Sequence, residues 1–158
     1  MKTFSSTLLA DLATKAAASP RKRAHFNIHE HAAELVQRFF VVATRDSYFR
    51  PHRHLAKSEL TLLLQGGVAV LTFDDAGRVT GRYDIGEGTQ DMGYEMPRAQ
   101  WHTLIVTSDS AAFLEVKEGP YDPATIVEFA AWAPAEGAPE IPRFLEDLRG
   151  ARIGDSFS

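Results

Sequence analysis

His52 and His54, one residue apart, are followed by Glu59 and much later by His102, and these four side chains have the types and spacing that could hold a metal ion. Side chains alternate between the two faces of a strand, so His52 and His54 point to one side and can bind an ion together, while Arg53 points away. Glu59 lies at an odd distance from His54, and a straight strand would carry its carboxylate to the wrong face. Leu55-Ala56-Lys57-Ser58 must therefore turn the chain. After that turn Glu59, Thr61 and Leu63 share one face of a second strand, with Leu60, Leu62 and Leu64 on the other. Gln65-Gly66-Gly67 ends it, since glycine supplies the positive φ of a tight turn. Three imidazoles and one carboxylate around an ion, with positions left for water or substrate, suit Fe(II), Mn(II), Ni(II) or Zn(II), and the ligand types do not choose among them. Taken alone, a His-x-His pair also describes two half-exposed strand histidines.

The elements that must position these residues follow from period and punctuation. From Glu34 onward the pattern is of strands: Leu35 to Thr44, Tyr48 to His54, Glu59 to Gln65 and Val68 to Phe73. Asp74-Asp75-Ala76-Gly77 reads as a hairpin turn and Arg78 to Ile85 as its return strand, closed by Gly86-Glu87-Gly88. Thr89 to Met96, Trp101 to Thr107 and Ala111 to Glu118 complete the set, with Ser108-Asp109-Ser110 as a further turn. Short strands at such regular spacing indicate a sandwich or barrel. Before them, Leu8, Leu9, Leu12 and Ala16 recur at helical spacing, which predicts an amphipathic helix over Thr7 to Ala18, stopped by Ser19-Pro20 and packed on the outside of the body. After them come a short apolar segment from Ile126 to Trp132, a Pro, Ala, Glu and Gly loop, and a short helix around Arg143 to Arg149.

His-x-His, four residues, Glu, six residues, Gly is the pattern from His52 to Gly66, and it closely resembles the first motif of the cupin superfamily. The second cupin motif is matched more loosely by Pro97-Arg98-Ala99-Gln100-Trp101-His102. Ala99 stands where that motif has Gly, Val106 where it has Asn, and Asp46 and Asp91 where glycines open the two motifs. These departures bear on turn geometry rather than on the ligands. The rare run Arg21-Lys22-Arg23-Ala24-His25-Phe26-Asn27-Ile28-His29, with Leu114-Glu115-Val116-Lys117-Glu118-Gly119-Pro120, is similar to the WbuC family of cupin-fold metalloproteins from bacterial polysaccharide gene clusters. That resemblance covers roughly residues 8 to 123. It implies a bacterial, metal-binding, all-β cupin double-stranded β-helix (jelly roll) without a settled reaction. The expected organisation is a single domain: residues 1–33 as N-terminal helix and polar arm, 34–123 as jelly-roll core and 124–158 as a short C-terminal extension.

Composition narrows the function. At 158 residues and 44% hydrophobic content, the chain can bury one core and not two. It has no cysteine, which excludes disulfides, thiolate zinc sites and cysteine nucleophiles and leaves nitrogen and oxygen to hold any metal. A net charge of -4 and a pI near 5.8, with Arg21-Lys22-Arg23 as the sole basic run, argue against a nucleic-acid partner. No stretch approaches the ~18 apolar residues of a membrane span, and Asp11 interrupts any signal-peptide core, so a cytoplasmic location is expected.

Other polar residues extend the candidate site. Arg23, His25 and Asn27 alternate with apolar neighbours as on an extended arm with one polar face, which lines the pocket if it lies over the barrel mouth and is a solvated edge if not. His29-Glu30-His31 repeats the His-x-His spacing, but neither an acid at first-motif distance nor a later His completes it. Glu115 and Lys117 share a strand face with Phe113, where they either line a pocket or pair with each other. Two functional classes follow. One is a metalloenzyme with one divalent ion (Fe, Mn, Ni or Zn), of oxygenase or of isomerase/epimerase type, acting on a small polar molecule. The other is a non-catalytic binder or sensor using the same pocket. An ion held by three neutral imidazoles and one glutamate leaves about one positive charge, so the expected ligand is anionic or an acidic sugar derivative, gripped by Arg23 and Lys117. Phe39, Phe40, Val41 and Val42 make one strand apolar on both faces, so the outer face needs cover, from the N-terminal helix or from a second subunit, and a homodimer is expected.

Overall fold

A computed structural model describes residues 1–122 and 127–157. Two five-stranded antiparallel sheets face each other. One has the order β1 (Arg23–Asn27), β2 (Val36–Thr44), β9 (Ser110–Glu118), β4 (Glu59–Gln65) and β7 (Gly93–Met96). The other has the order β10 (Glu128–Phe129), β3 (His52–Arg53), β8 (Trp101–Val106), β5 (Gly67–Phe73) and β6 (Val79–Gly86). This is the expected jelly roll. Val41, Val68, Val70, Ile85, Leu104, Val106 and Phe113 fill the space between the sheets.

The outer faces are covered by the two ends of the chain. Helix α1 (Ser6–Ala18) lays Leu12 and Ala16 on Phe40, Val42 and Ala112. The outer face of β2 is therefore covered from within the chain, and a second subunit is not needed there. Helix α2 (Ile141–Gly150) buries Leu145 and Leu148 against Leu71, Phe73, Trp101 and Ile105 on the outside of the other sheet. The Pro123 boundary of the core and the start of the apolar segment at Ile126 lie outside the described residues. Among the described residues, no helix is long and apolar enough to cross a membrane.

Two elements differ from the sequence reading. The stretch Tyr48 to His54 is a strand only at His52–Arg53. The carbonyls before it are taken by other groups: Tyr48 O by Arg23, Phe49 O by the Thr103 hydroxyl, Arg50 O by the His52 ring and Pro51 O by the Ala130 amide. Thr89 to Met96 is a strand only from Gly93, because the Thr89 hydroxyl donates to the Gly86 and Asp91 carbonyls and holds a turn. The arm is extended, as expected, and becomes β1 by pairing with β2, so that Arg23 lies opposite Ala43, His25 opposite Val41 and Asn27 opposite Phe39.

Candidate metal centre

Two strand registers assemble the centre. His52 on β3 is the cross-strand partner of His102 on β8, which in turn is paired with Thr72 on β5. Across the barrel, Glu59 is the cross-strand partner of Lys117 on β9 and of Met96 on β7. The ring centroids of His52 lie 4.4 Å from His102 and 5.1 Å from His54. One ring nitrogen of each of His52, His54 and His102 falls within 4.8 Å of the others. Glu59 closes the group, with Oε2 3.2 Å from His54 Nε2 and Oε1 3.4 Å from His102 Nε2.

The imidazoles are oriented for ligation. Nδ1 of His52 lies 2.8 Å from the Arg50 carbonyl, and Nδ1 of His102 lies 2.9 Å from the Gln100 carbonyl. A carbonyl only accepts, so both Nδ1 atoms carry the hydrogen and each neutral ring presents its lone pair at Nε2. Carbonyl partners of this kind fix tautomer and ring angle at metal sites. An edge of the His52 ring stays accessible, yet burial by the surrounding protein and the nearby His102 push its pKa down to about 3, so the ring is neutral at ordinary pH. Ligands at right angles around an ion at 2.0–2.2 Å are separated by about 3 Å. The 3.2 Å and 3.4 Å nitrogen to oxygen separations at Glu59 agree with that spacing. The residues fit a divalent ion.

Charge around the centre is buried and paired. Lys117 Nζ lies 3.2 Å from Glu59 Oε2 and also contacts Glu115 Oε1. Burial alone would raise the Glu59 carboxyl, but the Lys117 charge and the two imidazoles outweigh it and hold the group well below the usual carboxylate range. Burial likewise opposes the charge on Lys117, and Glu115 and Glu59 overcome it, so the ammonium persists above its ordinary range.

The remaining expected residues are placed as follows. Glu115 and Lys117 are beside the histidines and pair with each other. Arg23 is elsewhere: its guanidinium donates to the Tyr48 carbonyl at 2.6 Å and to Glu136 at 2.6 Å and stacks 4.6 Å from the Phe49 ring. His25 and Asn27 are exposed on the edge strand, with the His25 ring 6.3 Å from Phe39. His29 accepts the Arg38 amide through Nδ1 and packs against Phe39, apart from any second cluster of ligands. The sequence reading did not single out Tyr94. Its phenol is pushed well above the ordinary range by burial and by the Glu59 charge, and the alternation of Tyr94 with Met96 on one strand face was the available signal. A groove of about 430 Å³ opens between β6 and β7, lined by Thr72, Tyr83, Tyr94, Met96 and Gln100 among others.

The two facing sheets, with the histidines between them, form a jelly roll of cupin-like fold. The chain belongs to the family described as "Domain of unknown function (DUF6016)", which matches residues 4–85. Solved structures of similar fold include the capsular polysaccharide assembling protein CapF from Staphylococcus aureus, at TM-score 0.57 and 13% identity over 70% of this chain and 32% of that one. An oxalate decarboxylase from Lactobacillus farciminis, in a formate complex, gives 0.51 and 18% over 66% of this chain and 30% of that one. An oxalate oxidase in complex with the substrate analogue glycolate gives 0.54 and 15% over 84% and 68%. The chain thus spans about a third of the length of the first two. No curated protein matches the sequence.

Proposed function

We propose that this protein is a divalent-metal cupin that works as a metalloenzyme, of oxygenase or isomerase/epimerase type, on a small polar molecule that is anionic or sugar-derived. The observation that carries this reading is the convergence of His52, His54 and His102 with Glu59, two of the rings held by carbonyls so that Nε2 faces the common centre. A divalent ion there, Fe, Mn, Ni or Zn, supplies Lewis acidity toward oxygen donors. The chain's own residues bind and orient. Thr72 is the cross-strand partner of His102 and Met96 that of Glu59, so the β6/β7 groove lies next to the strands that carry two of these side chains.

Charge supports an anion. The Lys117 and Glu115 charges cancel, and a divalent ion with Glu59 leaves about one positive charge for the ligand to balance. Arg23 is engaged with Glu136 and does not enter this balance. The formate and glycolate bound in two structures of similar fold support a small carboxylate. The WbuC-type relationship, with its link to bacterial polysaccharide genes, rests on the Arg21 to His29 run, and the fold similarity to CapF supports it.

Elemental analysis of the wild type beside His54→Ala and His102→Ala tests the centre, and equal metal in all three would end the reading. Calorimetry on the loaded protein with small carboxylates and matched neutral polyols tests the ligand class. A non-catalytic metabolite binder is favoured by one observation, the pairing of Lys117 with both Glu59 and Glu115, which engages the charges nearest the histidines. Tight binding without turnover would select it.

A further inference from the structure

A lysine pointing into the interior of a β-barrel is expensive, because an ammonium removed from water loses several kcal/mol of hydration unless its partners are well placed. The Lys117 side chain is 11% exposed, with Glu59 at 6% and Glu115 at 14%. Its placement is built in by register: Lys117 stands directly across from Glu59 on adjacent strands, and Glu115 across from Thr61. Glu115 holds the ammonium from one side, and the Phe39 ring lies 5.3 Å from Nζ on another.

The two oxygens of Glu59 are in different surroundings. Oε1 faces His102 Nε2 at 3.4 Å. Oε2 faces His54 Nε2 at 3.2 Å but is also 3.2 Å from Lys117 Nζ. A carboxylate that chelates through both oxygens commits both to the ion, and an ammonium on one of them opposes that commitment. We propose that Lys117, braced by Glu115, is a positioning residue that limits Glu59 to a single ligating oxygen and so keeps a coordination position open for the ligand. The inference rests on the proposed metal binding and adds that the number of protein donors is set by a side chain that is not itself a ligand.

The probe is Co(II), read by its dissociation constant and by its visible absorption, which reports coordination number. Lys117→Met with Glu115→Gln removes one positive and one negative charge together, so the net charge is unchanged and the buried Glu59 carboxylate keeps the imidazoles and the bound ion as its partners. Circular dichroism and thermal melting confirm that it folds. Freed of the ammonium, Glu59 is expected to close on the ion with both oxygens, giving about tenfold tighter Co(II) binding and an altered absorption spectrum. Lys117→Arg, which restores a cation, is expected to return both readouts toward wild type. A folded double variant with the wild-type dissociation constant and spectrum, or with weaker binding, would overturn the clamp alone. Wild-type protein that takes up no Co(II) would instead remove the metal reading and the clamp with it.

Discussion

The backbone amide of Ala99 donates to the carbonyl of His54 at 2.8 Å, tying the segment that leads into His102 to the strand end that carries two other histidines. Ala99 has φ of +62°, in the left-handed region that glycine occupies freely. The turn is kept and the alanine bears its strain. Ala99→Gly is expected to stabilise the protein by about 1 kcal/mol, read as a rise in the urea midpoint. Ala99 is exposed, so no packing is lost, and metal content should not change.

Loading the centre should stabilise the fold by mass action. Zn(II) or Mn(II) at a hundredfold excess over its dissociation constant contributes about 2.7 kcal/mol, visible as a rise in Tm. His102→Ala should abolish that rise, since its buried Nε2 faces Glu59. A rise that survives the substitution would place the ion elsewhere.

Glu136 gives a stability term with a defined sign. Partial burial raises its carboxyl, but hydrogen bonds from Arg21 and Arg23 outweigh this and leave it below its ordinary value of 4.5. A depressed native value stabilises above the unfolded pKa and is lost as pH falls through the native one. Wild type should therefore be more stable than Glu136→Gln near neutral pH, with the gap closing below about pH 4. Denaturant midpoints at pH 7 and pH 3 check it.

Leu12 is 3% exposed beneath α1. Leu12→Ala should cost roughly 2 to 4 kcal/mol by opening a cavity over Phe40 and Val42. Because the helix covers that face, light scattering at high micromolar concentration should show an oligomeric state in wild type that does not depend on it.

The parts of the site readable from sequence are those set by local rules. The shared face of His52 and His54 follows from strand period, Glu59 joins them through the turn that its odd spacing demands, and Gly66 at φ +72° and Gly77 at φ +78° take the conformations their turns require. What could not be read was registered between distant strands. That Lys117 faces Glu59 depends on β9 pairing with β4, and nothing local reports that register. Arg23 was assigned to the pocket because it alternates with His25 and Asn27, yet its partner Glu136 is 113 residues away and takes the guanidinium to the far end of the strand. The sequence also made Tyr48 to His54 one strand, since period cannot show that side chains would claim its carbonyls.

β3 is two residues long and meets β8 at a single pair, His52 with His102. On its other edge it meets only the equally short β10, and since its closing requires parts of the chain about fifty residues apart to meet first, it is expected to form late in folding. A bound ion would add its strongest bonds at that late-formed junction. Its effect therefore falls on how slowly the barrel comes apart rather than on how fast it assembles, and the loaded protein gains lifetime more than it gains folding speed.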